Sequence, residues 1–453
     1  MTPKRCSDLL ADAAARGARY VSEIADRRVS PAPEDLARMS HLGGALNDDP
    51  IDPAAVLAQL DEFGSPATHA TTGPRYFGFV VGGVLPAAMA ANWLAGAWDQ
   101  NAALVSQSAI GAKIEEIAAA WLLDVLKLPR ESAVGFVTGA TMANFTALAA
   151  ARNALLHRAG WDVEDRGLFG APEIRVITGA EVHVSVLKAL SMLGLGRARI
   201  TKVPADDQGR FRADLLPELD ERTLICVQAG NVNTGAFDPA EEICKRAHDD
   251  HAWVHVDGAF GLWAAAAPDR AHLMNGVGDA DSWATDCHKW LNVPYDSGLA
   301  FVRDAAALKS AMSASAAYLI QGDQREPWHF TPEASRRARG VEIWAALRSL
   351  GRKGLAEMVE RNCRQAARFA NGLRQAGFTI LNDVVLNQVL VSFGDAEKTT
   401  RAIAAIQADG TCWCGGTVWQ GHTAMRISVS NWSTTDADID RSLEAVIHTV
   451  AQL

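Results

Sequence analysis

Residues 281–298 read Asp-Ser-Trp-Ala-Thr-Asp-Cys-His-Lys-Trp-Leu-Asn-Val-Pro-Tyr-Asp-Ser-Gly, a short strand pattern running into a lysine and then a turn. Ser282–Thr285 delivers the chain to Lys289, and Trp290, Leu291 and Pro294 follow at once. A lysine among aromatic neighbours loses hydration, its charged form is disfavoured and its pKa falls. Partly neutral near pH 7, such a lysine is a nucleophile able to form a Schiff base with an aldehyde. Many lysines beside a tryptophan only lay their stems on apolar surface, so the meaning of this stretch depends on what stands upstream.

Three upstream motifs change its meaning. Phe136-Val-Thr-Gly-Ala-Thr-Met-Ala-Asn144 is a strand that ends in small residues and opens a helix. Small residues let the backbone approach an anion, and the free N–H groups of a helix start hold it. Gly139, Ala140 and Thr141 are the candidate anion cradle. The three-glycine nicotinamide pattern is absent, as is the Gly-Lys-Ser/Thr of a nucleotide phosphate loop. His183, in Thr178-Gly-Ala-Glu-Val-His, sits just past a strand end, where a flat imidazole can stack on a planar ring. His255-Val-Asp-Gly-Ala-Phe-Gly261 ends a strand in one carboxylate, Asp257, at the edge where parallel sheets bind ligands. Ala259 leaves room there for a flat ring. A phosphate cradle, a flat His, a strand-end Asp and a strand-end Lys, in that order, form the set that pyridoxal 5'-phosphate requires. Its phosphate needs donors, its ring nitrogen an anion, its aldehyde a lysine and its ring face a flat partner.

The rest of the chain frames these motifs. With 453 residues it is long enough for two or three lobes. A formal net charge of −10 without a basic block argues against nucleic acid. The opening MTPKRCSDLLADAAARG lacks the apolar core of a signal peptide, and no run is long and apolar enough to span a membrane. Seven scattered cysteines suit a reducing cytoplasm, and Cys412 and Cys414 lack the further Cys or His that a zinc site needs, so no metal is expected. From Ala133 strands alternate with helices, at 133–137, 174–177, 223–228, 253–256, 282–285 and 299–302, which predicts an α/β fold with a largely parallel sheet covered on both faces. The expected division is an N-terminal helical segment, 1–75, too thin to bury itself and packing on a partner; a large domain, 76–345; and a small α/β C-terminal domain, 346–453. Residues 311–340 show no sustained period and read as a functional loop.

On these motifs the chain resembles the group II pyridoxal-phosphate-dependent decarboxylases, which include the aromatic L-amino-acid and glutamate decarboxylases. The resemblance covers about residues 70–450 and includes Gly235-Ala-Phe-Asp-Pro239 and Arg426-Ile-Ser-Val-Ser-Asn431. It implies fold type I, the aspartate-aminotransferase-like fold, with a mostly parallel seven-stranded sheet, and a homodimer with active sites at the subunit interface. It implies that Lys289 forms the Schiff base, Asp257 pairs with the ring nitrogen, His183 stacks on the ring and Ala259 lines the other face. Gly139, Ala140, Thr141 and His288 would bind phosphate. Asn231 stands where the family has Thr or Ser, near the ring and substrate, and Arg426 matches an arginine that contacts a substrate carboxylate. The implied activity is decarboxylation of an aromatic or acidic L-amino acid. Carbon–carbon cleavage, aldehyde formation or transamination is the alternative on the same scaffold.

Two positions depart from the pattern. Asp286 replaces the usual Asn, making Asp-Cys-His-Lys closer to the Asp-Thr-His-Lys of sphingosine phosphate lyases, and places an anion where phosphate is expected. The loop tyrosine that returns a proton after carbon dioxide leaves is replaced by Glu326-Pro-Trp-His-Phe330, with Tyr318 earlier than expected. His329 is the candidate general acid in its stead. Tyr76, Phe77, Phe79 and Trp328 are candidate walls for an aromatic side chain.

Overall fold

The computed structural model describes residues 3–313 and 325–453, so Tyr318 lies outside the described residues. In chain order the elements are α1 (Pro3–Glu23), α2 (Pro33–Arg38), α3 (Pro53–Gly64), α4 (Pro86–Trp98), α5 (Ala109–Val125), β1 (Ala133–Val137) and α6 (Ala140–Arg158). Then come α7 (Val163–Arg166), β2 (Arg175–Gly179), α8 (Val184–Met192), β3 (Thr201–Val203), β4 (Thr223–Gln228), α9 (Ala240–Asp249), β5 (Trp253–Asp257), β6 (Ser282–Asp286) and β7 (Gly298–Val302). The chain continues through α10 (Ala305–Met312), α11 (Gly340–Gln375), β8 (Thr379–Ile380), β9 (Gln388–Ser392), α12 (Ala396–Asp409), β10 (Gly415–Trp419), β11 (His422–Ser428) and α13 (Asp436–Ala451). They form two compact units, one of residues 84–367 with 381–389, the other of 1–83 with 368–380 and 390–453.

The first unit is built on a seven-stranded sheet in the order β1-β7-β6-β5-β4-β2-β3. Pairs β2/β3, β2/β4, β4/β5 and β5/β6 are parallel, while β7 runs antiparallel to both β6 and β1. β1 therefore points the same way as β6, and the carboxyl ends of β1, β2, β4, β5 and β6 lie along one edge. Every residue of β4, β5, β6 and β7 is buried, the signature of strands covered on both faces. The sequence reading found six of these strands and missed β3, whose three residues include two exposed ones and carry no apolar run.

Helix α6 packs on this sheet through a face of small residues, Ala143, Ala147, Ala150 and Ala151, all fully buried. Alanine costs no side-chain entropy in a helix and lets the helix approach closely. The stretch 281–298 is held by three fully buried tryptophans, its own Trp283 and Trp290 and the neighbouring Trp263. Trp263 Nε1 donates to the Asp286 carbonyl at 3.1 Å, Trp283 Nε1 to Val277 O at 2.7 Å, and Trp290 Nε1 to Asn362 Oδ1 at 3.0 Å. A buried indole needs such a partner, so each ring is fixed in rotation as well as in depth. The two helices expected at 341–350 and 355–376 are α11, interrupted at Gly351, where φ of 58° is a conformation that glycine adopts without strain.

The second unit pairs a four-stranded sheet, β10-β11-β9-β8, with α12 and α13 and with the N-terminal helices. Thr435 and Asp438 form a reciprocal capping box at the start of α13. Val29 N–H donates to Gly410 O at 2.8 Å, and buried Arg75 donates from Nε to Thr411 O at 2.8 Å and faces Asp438 at 3.4 Å. β10 escaped the sequence reading because Gly415-Gly416 opens it with two weak strand formers.

In the first unit Arg336 and Glu115 form a bidentate pair, at 2.5 and 2.9 Å, with both side chains 1% exposed. Removing one partner strands the other charge, which costs about 3–5 kcal/mol. Arg336→Met should therefore lower the melting temperature sharply, and adding Glu115→Leu should recover much of the loss. Calorimetric melts of the two variants check this; equal melting temperatures for single and double variants would contradict it.

Candidate functional site

Strand register brings the sequence-flagged residues to one edge. Gln228 is opposite Asp257, Asp257 opposite Ala284, and Gly298 opposite both Asp286 and Val137. The loops leaving β1, β5 and β6 therefore carry Gly139, Ala259 and Lys289 side by side, and those leaving β2 and β4 carry His183 and Asn231. Thr138, Gly139, Thr141, His183, Ala259, His288 and Lys289 are each partly exposed amid buried neighbours, which marks the mouth of the site.

At the β1–α6 turn, Ala143 N–H is bonded to Gly139 O, so the N–H groups of Ala140, Thr141 and Met142 precede the helix's own ladder. Asp286 takes the first of them, with Oδ1 2.5 Å from Ala140 N, while its Oδ2 lies 3.0 Å from Lys289 Nζ. Lys289 thus meets a carboxylate. The aromatic cover expected from the sequence is not its partner, because Trp290 is fully buried against Phe260 and bonded to Asn362. His288 accepts Ser297 N–H on Nδ1 at 3.2 Å. Burial lowers the His288 pKa despite Asp286 nearby, so the neutral ring carries its proton on Nε2, 3.5 Å from Asp286 Oδ1. This contact is dipolar and not an ion pair. Tyr295, itself exposed, stacks on His288 at 4.2 Å.

At the end of β5, Asp257 is 4% exposed. Its Oδ1 accepts Ala259 N–H at 3.2 Å, and its Oδ2 lies 3.4 Å from both Asn144 Nδ2 and Ser185 Oγ. His183 caps α8, accepting Ser185 N–H on Nδ1 at 3.2 Å. Asn231 is buried; its Oδ1 accepts Asn233 N–H at 2.8 Å, and its Nδ2 is a buried donor without a partner among the described residues. Asn144, Ser185 and Tyr295 were not assigned roles from sequence. Asn144 and Ser185 were legible in principle: Asn144 is one helical turn beyond Ala140, and Ser185 is the second residue after His183.

The remaining flagged residues lie on other elements. His329 has Lys309, Glu326 and Arg325 as its charged neighbours, and burial lowers its pKa. Trp328 is buried, with its backbone N–H on Ala103 O at 3.0 Å. Tyr76, Phe79 and Arg426 belong to the second unit. There Tyr76 stacks on Trp413 at 5.0 Å, Phe79 lies against the same indole at 5.3 Å, and Arg426 sits on β11 opposite Gly415. Phe77 is buried in edge contact with Phe369.

The residues at the sheet edge fit pyridoxal phosphate. They offer an amine at Lys289, a carboxylate at Asp257, a flat ring at His183, and an orphaned donor at Asn231. A side chain at Gly139 would come 3.1 Å from His288 and 3.3 Å from Asp286, so anything beyond glycine there would press on both side chains. Asp286 is the discordant member, because its charge occupies the helix start that a phosphate would use.

Comparison with known proteins agrees with this cofactor. The pyridoxal-dependent decarboxylase conserved domain matches residues 42–394. L-2,4-diaminobutyrate decarboxylase of Rhizobium meliloti (strain 1021) is 28% identical over 440 residues, 91% of this chain and 86% of that one. Aromatic-L-amino-acid decarboxylase of Bacillus atrophaeus is 26% identical over 346 residues, 73% of this chain and 70% of that one. Among solved structures, Oryza sativa TDC with PLP and tryptamine superposes with a TM-score of 0.90 at 21% identity, covering 100% of this chain and 99% of that one, a likeness of fold.

If Asp286 opposes an incoming phosphate, Asp286→Asn should tighten binding of pyridoxal phosphate and of inorganic phosphate to the apoprotein by about tenfold, ~1.4 kcal/mol. Titration calorimetry measures both; unchanged or weaker binding would show that the carboxylate supports the cradle.

Proposed function

The chain belongs to the pyridoxal-dependent decarboxylase family, and on that premise we propose that it removes the α-carboxylate of an L-amino acid as carbon dioxide and releases the amine. The observation that carries this reading is the side-by-side placement of Lys289 and Asp257 at the ends of neighbouring parallel strands, β6 and β5. Bound pyridoxal 5'-phosphate supplies an electron sink for the pair left when a bond to the substrate's α-carbon breaks. Lys289 would tether the cofactor and, once displaced by the substrate amine, stand beside the reacting carbon as a base. Asp257 would keep a proton on the ring nitrogen, and His183 and Ala259 would bound the two ring faces. Gly139, Ala140, Thr141 and the Nε2–H of His288 would hold the phosphate, with Asn231 donating near the ring or substrate.

Substrate class follows from residues outside this cluster. Burial lowers the Arg426 pKa, and no carboxylate among the described residues pairs with it, which suits a cation kept for a ligand carboxylate. Tyr76 and Phe79 would favour an aromatic side chain, Arg426 an acidic one. Trp328 would add to that aromatic wall. A general acid must stand within hydrogen-bond reach of the carbon it protonates. His329, standing where the family has a loop tyrosine, would be that acid. The replacement also favours a second reading, in which aldehyde formation, transamination or carbon–carbon cleavage competes with simple decarboxylation.

Assembly and location are part of the same proposal. Leu10, Val21, Val56 and Leu60 in the N-terminal helices are exposed, as are Trp93, Leu94 and Trp98 of α4. Apolar surface of that kind suits residues 1–75 packing on a partner in a two-fold homodimer, with a large domain at 76–345 and a small one at 346–453. Among the described residues no helix is long and apolar enough to cross a membrane, and all seven cysteines are free, which suits a cytoplasmic enzyme.

Incubation of the purified protein with each L-amino acid, following carbon dioxide, amine, aldehyde and keto acid together, tests the reaction. Carbon dioxide with amine is expected; keto acid without carbon dioxide would sink the reading. Lys289→Ala should abolish the visible absorbance of the bound cofactor. Arg426→Leu should raise KM for an acidic substrate about 10–100-fold, the worth of a hydrogen-bonded charge of ~1.5–3 kcal/mol, and leave an aromatic one less affected.

A further inference from the structure

Beneath Asp257 runs a file of buried polar side chains to which the chemistry above assigns no part. Trp253 Nε1 lies 2.9 Å from Ser282 Oγ, which lies 2.9 Å from His255 Nδ1. His255 Nε2 lies 2.9 Å from Asn144 Oδ1, and Asn144 Nδ2 lies 3.4 Å from Asp257 Oδ2. Ser282, His255 and Asn144 are each 0% exposed, so water cannot substitute for any member. Trp253, His255 and Asp257 alternate along β5 and share the face that meets α6, from which Asn144 descends.

The file has one self-consistent direction. Its upper end is a carboxylate, which only accepts; its lower end is an indole N–H, which only donates. Asn144 must therefore turn its NH2 toward Asp257 and its carbonyl oxygen toward His255. That oxygen requires the proton of His255 on Nε2. Burial lowers the His255 pKa to about 3, so the ring is neutral and its Nδ1 is an acceptor. Ser282 then gives its hydroxyl proton to Nδ1 and takes the indole N–H on a lone pair. Ser185 joins from the side, with its Oγ 3.2 Å from Asn144 Nδ2, 2.8 Å from His183 Nδ1 and 3.4 Å from Asp257 Oδ2.

We propose that Asn144 and His255 are positioning residues that keep the Asp257 carboxylate ionised and aimed at the ring nitrogen of the bound cofactor. Among the described residues no lysine or arginine pairs with Asp257. Its titratable neighbours are His183, reached through Ser185, and the Cys226 thiol, which burial and then Asp257 itself push above its ordinary range. The donors that stabilise this carboxylate are thus neutral dipoles, Ala259 N–H and Asn144 Nδ2, while the one hydroxyl proton of Ser185 goes to the nearer His183 Nδ1, which accepts. A reversed file would present the Asn144 carbonyl to the carboxylate, raise its proton affinity and move the shared proton off the ring nitrogen. The inference rests on the assignment of Asp257 made above.

The test is the nitrogen itself. Holoenzyme reconstituted with pyridoxal phosphate carrying 15N in the ring should show the chemical shift of a protonated nitrogen. Asn144→Leu and His255→Leu should move it toward the unprotonated value and shift the pH titration of the visible absorbance. They should lower kcat about 10–100-fold, the usual effect of an outer partner, with KM little changed. His255→Gln, which keeps a donor for Asn144 Oδ1, should restore the wild-type shift. Ser282→Ala, the gentlest change, frees the His255 tautomer and should move the shift part-way; it serves also if the leucine variants do not fold. Folded variants that keep the wild-type nitrogen shift would overturn the proposal. Visible absorbance of the bound cofactor that survives Lys289→Ala would instead overturn the assignment of the site, a separable result.

Discussion

Gly298 touches Gly139, and the site depends on that contact. A side chain on Gly298 would place its first carbon 2.4 Å from Gly139 Cα. The start of β7 is thereby pressed onto the turn that opens α6, and β7 also pairs with the end of β6 at Asp286. One close approach between two glycines thus sets the helix start, Asp286, His288 and Lys289 at hydrogen-bonding distance from one another. The three bonded tryptophans keep that approach from relaxing.

Two kinds of group meet at this edge, and they answer to different forces. His288 and His255 are held neutral by burial, so their ring nitrogens have defined donor and acceptor sides. Lys289 and Asp286 meet as opposite charges at 3.0 Å. The cluster is therefore rigid where neutral rings are bonded and exchangeable where charges face each other. That division suits a site whose lysine must let go of one partner to take another.

Most of the fold was legible because its strands are buried on both faces and its helices begin at small or capping residues. The elements that stayed hidden, β3 and β10, are short, exposed or glycine-led, and only pairing with a neighbour makes them strands. At the site, each strand-end residue could be read from its motif, since a carboxylate or lysine after an apolar run announces itself. What could not be read was the partner of each group. Sequence adjacency set Trp290 beside Lys289, whereas the fold gives that lysine to Asp286 and that indole to Asn362. Chemistry assigned by proximity in sequence fails where a turn sends consecutive side chains to opposite sides.

The alanine face of α6 also acts as a spacer. Ala143, Ala147, Ala150 and Ala151 set the thickness of the layer between the helix axis and the sheet, and the same helix carries the anion cradle at its head and Asn144 one turn below. An added methyl group on that face would lift both together, tilting the phosphate seat relative to Asp257 without altering any reacting group. The geometry of the site is in this sense calibrated from below, by residues whose only property is that they are small.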